Sequence, residues 1–376
     1  MLSFIYCLFI HCGLKIMHYK IDGNQVIFTL PIACEKLYLK GTFTNWKLDE
    51  GFRFKKMEDG CRLTKSVNEV NKIGNSGYIE YVIWNEETQT SVEIGHLKEG
   101  YYFNNQSNGG FNNLLFLEAP SKSQLEEISE ASKQSFIIKN QKGHFSSDYQ
   151  LANFRGVTGG ELKSDWLFRS YHPVTPSRGD HSELKMIEPI RQEAVMALAE
   201  YHQIHSVINL SDSEEALAES MITAPESYYH ACWQRGSVHS VPVAYETVYF
   251  MSDRNEPLNH DELGFEDGIR RLIAVVANHA GPYLVHCRLG SDRTGVTCAF
   301  LQLLMGASKQ EIAENYLQTN QLGIGEFRSF RLLEQALQAA IGEGCFSDGD
   351  EKVKAYLMKL NIPEKLVEQA KTNLSA

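Results

Sequence analysis

The sequence predicts an α/β protein, a parallel-sheet domain with helices on both faces, preceded by a small all-β sandwich. Three observations predict it. Residues 19–118 hold short runs rich in β-branched and aromatic residues, cut by turn dipeptides. From about residue 149 helix-period and strand-like stretches alternate, the pattern of a largely parallel sheet. Between the two, residues 119–148 are dominated by Ser, Lys, Glu and Gln, the composition of a linker. A chain of 376 residues, 43% hydrophobic and 22% charged, has apolar material for two cores.

Taken in order, the first segment has an apolar stretch from Leu2 to Ile10 with no basic residue ahead of it. It is too short to span a bilayer comfortably. Residues 1–16 read as a doubtful leader or a start called too early, with Met17 opening the first domain; a signal or a structured strand are the alternatives. In the β region, 17–118, strands are expected at Gln25–Leu30, Leu37–Leu39, Tyr78–Trp84 and Leu114–Leu117, with turns at Asp22-Gly23, Asp59-Gly60, Gly74-Asn75 and Gly109-Gly110. The linker carries at most one short helix, Gln124–Ser132. In the second domain, 149–376, helices are expected at Ile187–His202, Phe265–Asn278 and Thr294–Met305, and strands at Ile204–Leu210, Val238–Val243 and Tyr283–Val285. Ser308 with Glu311 forms a capping box for the next helix. Helices follow at Phe330–Ala340, Glu351–Leu360 and Pro363–Leu374, the last opening on its proline.

Net charge is −11, carried mostly beyond residue 120, where 24 Lys and Arg face 34 Asp and Glu. A nucleic-acid binder should be basic, so that class is disfavoured, and an anionic substrate needs a local positive pocket. Outside residues 1–16 no long apolar run points to stable membrane insertion. The eight cysteines show neither disulfide-scaffold density nor metal-ligand spacing. They fit free thiols in a reducing, cytoplasmic compartment. Export is the alternative if residues 1–16 are a signal or the protein is an injected effector.

The chemistry concentrates in Val285-His286-Cys287-Arg288-Leu289-Gly290-Ser291-Asp292-Arg293-Thr294-Gly295, between a predicted strand and a predicted helix. Successive backbone N–H groups of such a loop form a nest for an anion, and the helix adds its positive end. That field favours a Cys287 thiolate, a nucleophile at neutral pH. The Arg293 guanidinium grips two phosphoryl oxygens as a fork and stabilises the charge in transfer. Gly290 lets the backbone bend close to the anion. Arg288, Leu289, Gly290, Ser291, Asp292 and Arg293 make up the loop. Thr294 is placed to hydrogen-bond the sulfur, and His286 to orient the loop. His, Cys, Gly and Arg at four fixed offsets arise by chance at roughly one position in 160,000.

This run resembles the signature of cysteine-dependent protein tyrosine and dual-specificity phosphatases. Its Asp292-Arg293-Thr294-Gly295 ending most resembles the bacterial tyrosine/lipid phosphatases, whose loop reads H-C-x-x-G-K-D-R-T-G. Asn153-Phe154-Arg155, Leu167-Phe168-Arg169-Ser170, Val207-Ile208-Asn209-Leu210 and Ser308–Asn320 resemble further stretches of that family, so the likeness covers roughly 150–375. It departs at Ser291, where the family has Lys, at Gly156, and at Asn209 and Ser211 in place of Asp and Arg. The resemblance implies a phosphomonoester hydrolase working through phosphocysteine, without metal or other cofactor. Asp292 is the implied general acid, with Glu246 and Asp253 the rivals. Ser291 removes a basic residue from the loop, which favours phosphotyrosine on a protein. A phosphoinositide, inositol phosphate or phosphoglucan is the alternative substrate, and a non-catalytic phosphoprotein-binding scaffold the alternative function.

In the first domain, Leu37–Trp46 and Gly109–Glu118 resemble the immunoglobulin-like glycogen/starch-binding modules. That likeness implies a glucan partner held by Trp46 as an apolar platform and by the amides of Asn112 and Asn113.

Overall fold

The computed structural model describes residues 18–32, 35–44, 46–71, 78–92, 102–105, 110–248 and 260–375. The expected leader, residues 1–16, lies outside them. The chain divides into two compact units, one ending at Phe136 and including Gly325–Phe327, the other formed by Ile137–Ile324 and the residues from Arg328 onward.

The first unit is a two-sheet antiparallel sandwich. Strands β1 (Tyr19–Asp22), β2 (Gln25–Leu30), β3 (Leu37–Gly41), β4 (Lys55–Met57), β5 (Gly60–Ser66), β6 (Ile79–Asn85), β7 (Thr90–Ser91), β8 (Tyr102–Asn105) and β9 (Gly110–Leu115) build it. One sheet runs β1-β2-β5-β4 and the other β3-β6-β9-β8, with β7 on β6. Alternate residues turn inward: Val26, Phe28 and Leu30 of β2 meet Leu37 and Leu39 of β3 and Ile79, Tyr81 and Ile83 of β6. Strand β1 stands where a first strand was expected after Met17, whereas β4, β5, β7 and β8 were not anticipated. Their polar residues dilute the apolar signal, as in β4, which is exposed along its length.

The stretch expected to be linker is structured. A helix at Lys122–Gln134 opens on a capping box between Ser121 and Gln124. It buries Ile128 against Tyr78, Phe103, Leu114 and Phe116.

The second unit is built on β10 (Arg155–Gly156), β11 (Leu167–Ser170), β12 (Ser206–Asn209), β13 (Val238–Ser240) and β14 (Tyr283–His286), in the order β10-β11-β14-β12-β13. All pairings are parallel except that of β10 with β11. Every residue of β11, β12 and β14 is buried, as expected of a parallel sheet covered on both faces. Phe168, Val207 and Leu284 point to one face and pack with Val195, Leu198 and Ala199 of the helix Glu188–Tyr201. On the opposite face the Tyr283 hydroxyl reaches the Val276 carbonyl of the helix Phe265–Asn278, at 3.2 Å. The helix Asp292–Leu304 is buried at all of its positions. The register sets Ser170, His286 and Asn209 side by side at the carboxyl ends of their strands. The three loops leaving those ends therefore start from one line, where ligands of open α/β sheets bind. Among the described residues no helix is long and apolar enough to cross a membrane.

Candidate active site

The loop from Cys287 to Ser291 joins β14 to the helix Asp292–Leu304. Nothing in its own sequence holds it, since Ser291, at the helix cap position, makes no side-chain cap. Its shape comes from outside. The Arg288 carbonyl accepts from the His172 N–H at 3.2 Å and the Ser177 hydroxyl at 2.9 Å. The Leu289 carbonyl accepts from Asn153 Nδ2 at 2.9 Å. Arg169 Nη2 donates to the Gly290 carbonyl at 2.7 Å and to that of Ser291 at 3.3 Å. Four consecutive carbonyls are thus drawn outward. In a trans peptide the N–H points opposite to the C=O, so the N–H groups of residues 289–292 face into the ring. Gly290 sits at φ +69, and a Cβ there would lie 2.1 Å from the Ser170 carbonyl oxygen, so the position is closed to other residues.

The supports are themselves supported. Arg169 Nη1 donates to Asn315 Oδ1 at 3.1 Å, and Asn153 Nδ2 also reaches Thr319 Oγ1 at 3.1 Å. Arg155 binds the Asn153 amide oxygen at 2.6 Å and the Asn315 carbonyl at 3.0 Å. Ser291 turns its hydroxyl away from the ring onto Thr319 Oγ1, at 2.6 Å.

Cys287 is buried at the start of the ring, and Arg293 at its end donates through Nη1 to the carbonyls of Leu210 and Val243, at 3.1 and 3.2 Å. His286 is buried with Nε2 3.0 Å from the Tyr229 hydroxyl. Burial, then the neighbouring His172, pushes its pKa well below the ordinary imidazole value, so it is neutral. The Thr294 hydroxyl is buried and has no partner, so the hydrogen bond expected from it to the sulfur is not formed.

Asp292, the first residue of the helix, is held in a two-point ion pair. Arg328 Nε lies 2.6 Å from Oδ1, and Nη2 lies 3.1 Å from Oδ2. A carboxylate bound by such a fork is in its charged, accepting form. The sequence showed no sign of this pair, because 36 residues separate the partners. Of the rival acids, Glu246 lies on the short helix Tyr245–Val248 with its side chain outside the described atoms, and Asp253 lies outside the described residues.

A second cluster was missed altogether. Asp212, just past β12, is 2% exposed and receives Arg288 Nη2 on Oδ1 at 2.7 Å. Its Oδ2 lies 2.6 Å from His172 Nε2 and 3.0 Å from Asn209 Nδ2. His172 Nδ1 accepts the N–H groups of Val174 and Thr175 at 3.1 and 2.9 Å, which leaves the ring proton on Nε2 to donate to Asp212. Burial works to raise the Asp212 pKa, but His172, Arg288 and Asn209 outweigh it and hold the carboxyl well below the usual carboxylate range. An acidic residue at the carboxyl end of a predicted strand was the available signal.

In the first unit the expected sugar contacts are not gathered on a surface. Asn112 is 5% exposed and spends its amide on Glu80 Oε2 at 2.9 Å, and Asn113 is 3% exposed. Adjacent residues of one strand point to opposite faces, and both faces of β9 are covered here, so neither amide meets solvent. Trp46 is half-buried, with φ 59. Among the described residues there is no group of three or more His, Cys, Asp or Glu placed to hold a metal ion.

The model of the tyrosine phosphatase family matches residues 150–361. The core catalytic domain of the PP-IP phosphatase SIW14 from S. cerevisiae, solved in complex with citrate, is similar at 18% identity over 56% of this chain and 93% of that one, with a TM-score of 0.31. No curated protein matches.

Proposed function

The chain belongs to the tyrosine phosphatase family, and from that premise we propose that Cys287 is its nucleophile, the ring of residues 288–293 its phosphate cradle, and a phosphomonoester on protein tyrosine its substrate. One observation carries this reading: four consecutive carbonyls turned outward around a cysteine, with an arginine closing the ring.

In the first step the Cys287 sulfur attacks phosphorus, forming an S–P bond as the ester P–O bond breaks. The leaving oxygen takes the electron pair and a proton from the general acid. The inward N–H groups and the Arg293 fork hold the three equatorial oxygens, where charge is spread in the transition state. In the second step water attacks the phosphocysteine and gives its proton to the same carboxylate. The sulfur leaves as thiolate, and inorganic phosphate is released. Thr294, unpartnered at rest, is placed in the first turn of the helix to donate to the departing sulfur. Neutral His286 orients the loop through Tyr229. Asp292 is the proposed acid, and its pair with Arg328 must open before it can be protonated and donate.

For the first unit, a glucan partner rests on Trp46 alone; sedimentation of residues 17–376 with glycogen, compared with Trp46→Ala, tests it. We place the protein in a reducing compartment, where the buried thiols Cys232, Cys287, Cys298 and Cys345 stay free.

The test of the catalytic reading is hydrolysis of para-nitrophenyl phosphate by residues 17–376 with and without Cys287→Ser, in EDTA and reductant. Turnover abolished by the substitution and indifferent to EDTA is the expected result. Turnover that survives Cys287→Ser removes the proposal, and no turnover by folded protein moves the function to phosphoprotein capture.

A further inference from the structure

Charge at the rim of the phosphate ring is balanced in a way that bears on which phosphates can enter. Three guanidiniums come from the loop or close on it. Arg293 bonds two carbonyls, and among the described residues no carboxylate pairs with it. Arg328 is spent on Asp292 through two bonds. Arg288 follows the nucleophile directly and is the most open of the three, its side chain 38% exposed, yet it is tied to Asp212 at 2.7 Å. A fourth, Arg169, is buried behind the loop with its donors on loop carbonyls and Asn315. Ser291 brings no charge, and its hydroxyl faces Thr319.

We propose that Asp212 is a specificity-determining residue: with Arg328 held by Asp292 in the resting site, its neutralising of Arg288 leaves Arg293 as the one uncompensated cation among the described residues of the ring, and so selects an isolated phosphoryl group over clustered ones. The inference rests on the phosphatase reading above and names its substrate class as a monoester of the aryl phosphate type. A polyphosphorylated ring brings several groups, each of about −1.5 to −2 charge. The ones beside the reacting phosphate need cations of their own at the rim. Arg288 is the residue placed to supply one, and Asp212 cancels it. The carboxylate is fixed for that task by geometry: Asn209 and the Nε2–H of His172 hold one oxygen, and Arg288 takes the other.

The experiment compares kcat/KM for a phosphotyrosine peptide and for myo-inositol hexakisphosphate in the full chain, in Asp212→Asn, and in Asp212→Asn with Arg288→Met. The wild type is expected to prefer the peptide. Asp212→Asn should raise the ratio of hexakisphosphate to peptide about tenfold, and the double variant should lose that gain. A wild type that prefers hexakisphosphate, or a ratio that does not respond to Asp212→Asn, overturns the inference. A measurement that needs no folded variant accompanies it: inhibition of para-nitrophenyl phosphate turnover by hexakisphosphate in the wild type. Weak inhibition, beyond about 1 mM at physiological salt, is expected, and inhibition at micromolar concentration overturns the inference. If Cys287→Ser abolishes turnover while the ratio stays fixed, the phosphatase reading stands and only the role of Asp212 falls.

Discussion

Replacing Gly290 by alanine probes whether the ring is shaped from outside, because it perturbs the backbone and no functional side chain. At φ +69 an alanine pays about 1–2 kcal/mol for the left-handed conformation. The added Cβ would also sit 2.1 Å from the Ser170 oxygen and 2.5 Å from its carbonyl carbon. Ser170 cannot retreat, since it is the last residue of β11 and is in register with His286 of β14. The loop must move instead, by about 1 Å to reach ordinary contact. That motion breaks the 2.7 Å bond from Arg169 to the Gly290 carbonyl, a charge-assisted bond worth about 1.5–3 kcal/mol. The two terms together come to about 3–5 kcal/mol, or a melting temperature lower by about 6–20 °C. A misplacement of about 1 Å in the cradle costs about a hundredfold in kcat/KM. Gly236→Ala is the control: its φ is +74 with nothing within 4 Å of the new Cβ, so it carries the conformational cost without the clash. The assay is para-nitrophenyl phosphate turnover beside thermal melts of the three proteins. Gly290→Ala with kcat/KM within threefold of wild type, and a melting temperature no lower than that of Gly236→Ala, would refute the reasoning.

Two predictions concern pH. Arg328→Met removes the cation that keeps Asp292 charged, so the alkaline limb of the kcat profile should move to higher pH, and Asp292→Asn should abolish that limb. If the limb instead disappears in Glu246→Gln or Asp253→Asn, the acid is one of those residues. His239 is held down to about 4 by burial, then by His279 and Arg271. Its folded-state pKa is depressed, so its contribution to stability is present above the unfolded value of about 6.5 and is lost as pH falls toward 4. His239→Gln should therefore flatten the fall in melting temperature between pH 6.5 and 4.5; parallel curves for the two proteins would count against it.

The part of the site that is local was legible in the residues. The strand before Cys287, the helix after it and the glycine between them follow from short-range pattern, and the helix Phe265–Asn278 matches its expected bounds residue for residue. Partners fixed by the fold were not legible. Arg169 lies 121 residues from the carbonyl it holds, and Asn153 lies 136 from its own. Both stood in motifs noted for their resemblance, yet no periodicity tells which backbone group a side chain meets. Asp212 escaped because an isolated acid in an acidic domain looks like a solvated surface group until its burial is seen. Asn112 and Asn113 failed the other way. Adjacent polar residues read as exposed, while the fold covers both faces of their strand.

The outward-turned carbonyls carry a consequence for the eleven-residue signature, 285–295, taken as an object in itself. Its clamps come from residues 153, 169, 172 and 177, all more than a hundred positions upstream. The entropy of closing those long loops is met by the whole domain and not by the segment. Cut out as a peptide, the segment keeps every chemical group thought to recognise phosphate and none of their arrangement. It would bind phosphate no better than any short chain with two arginines, and in that sense the motif is an address at which the domain assembles its site.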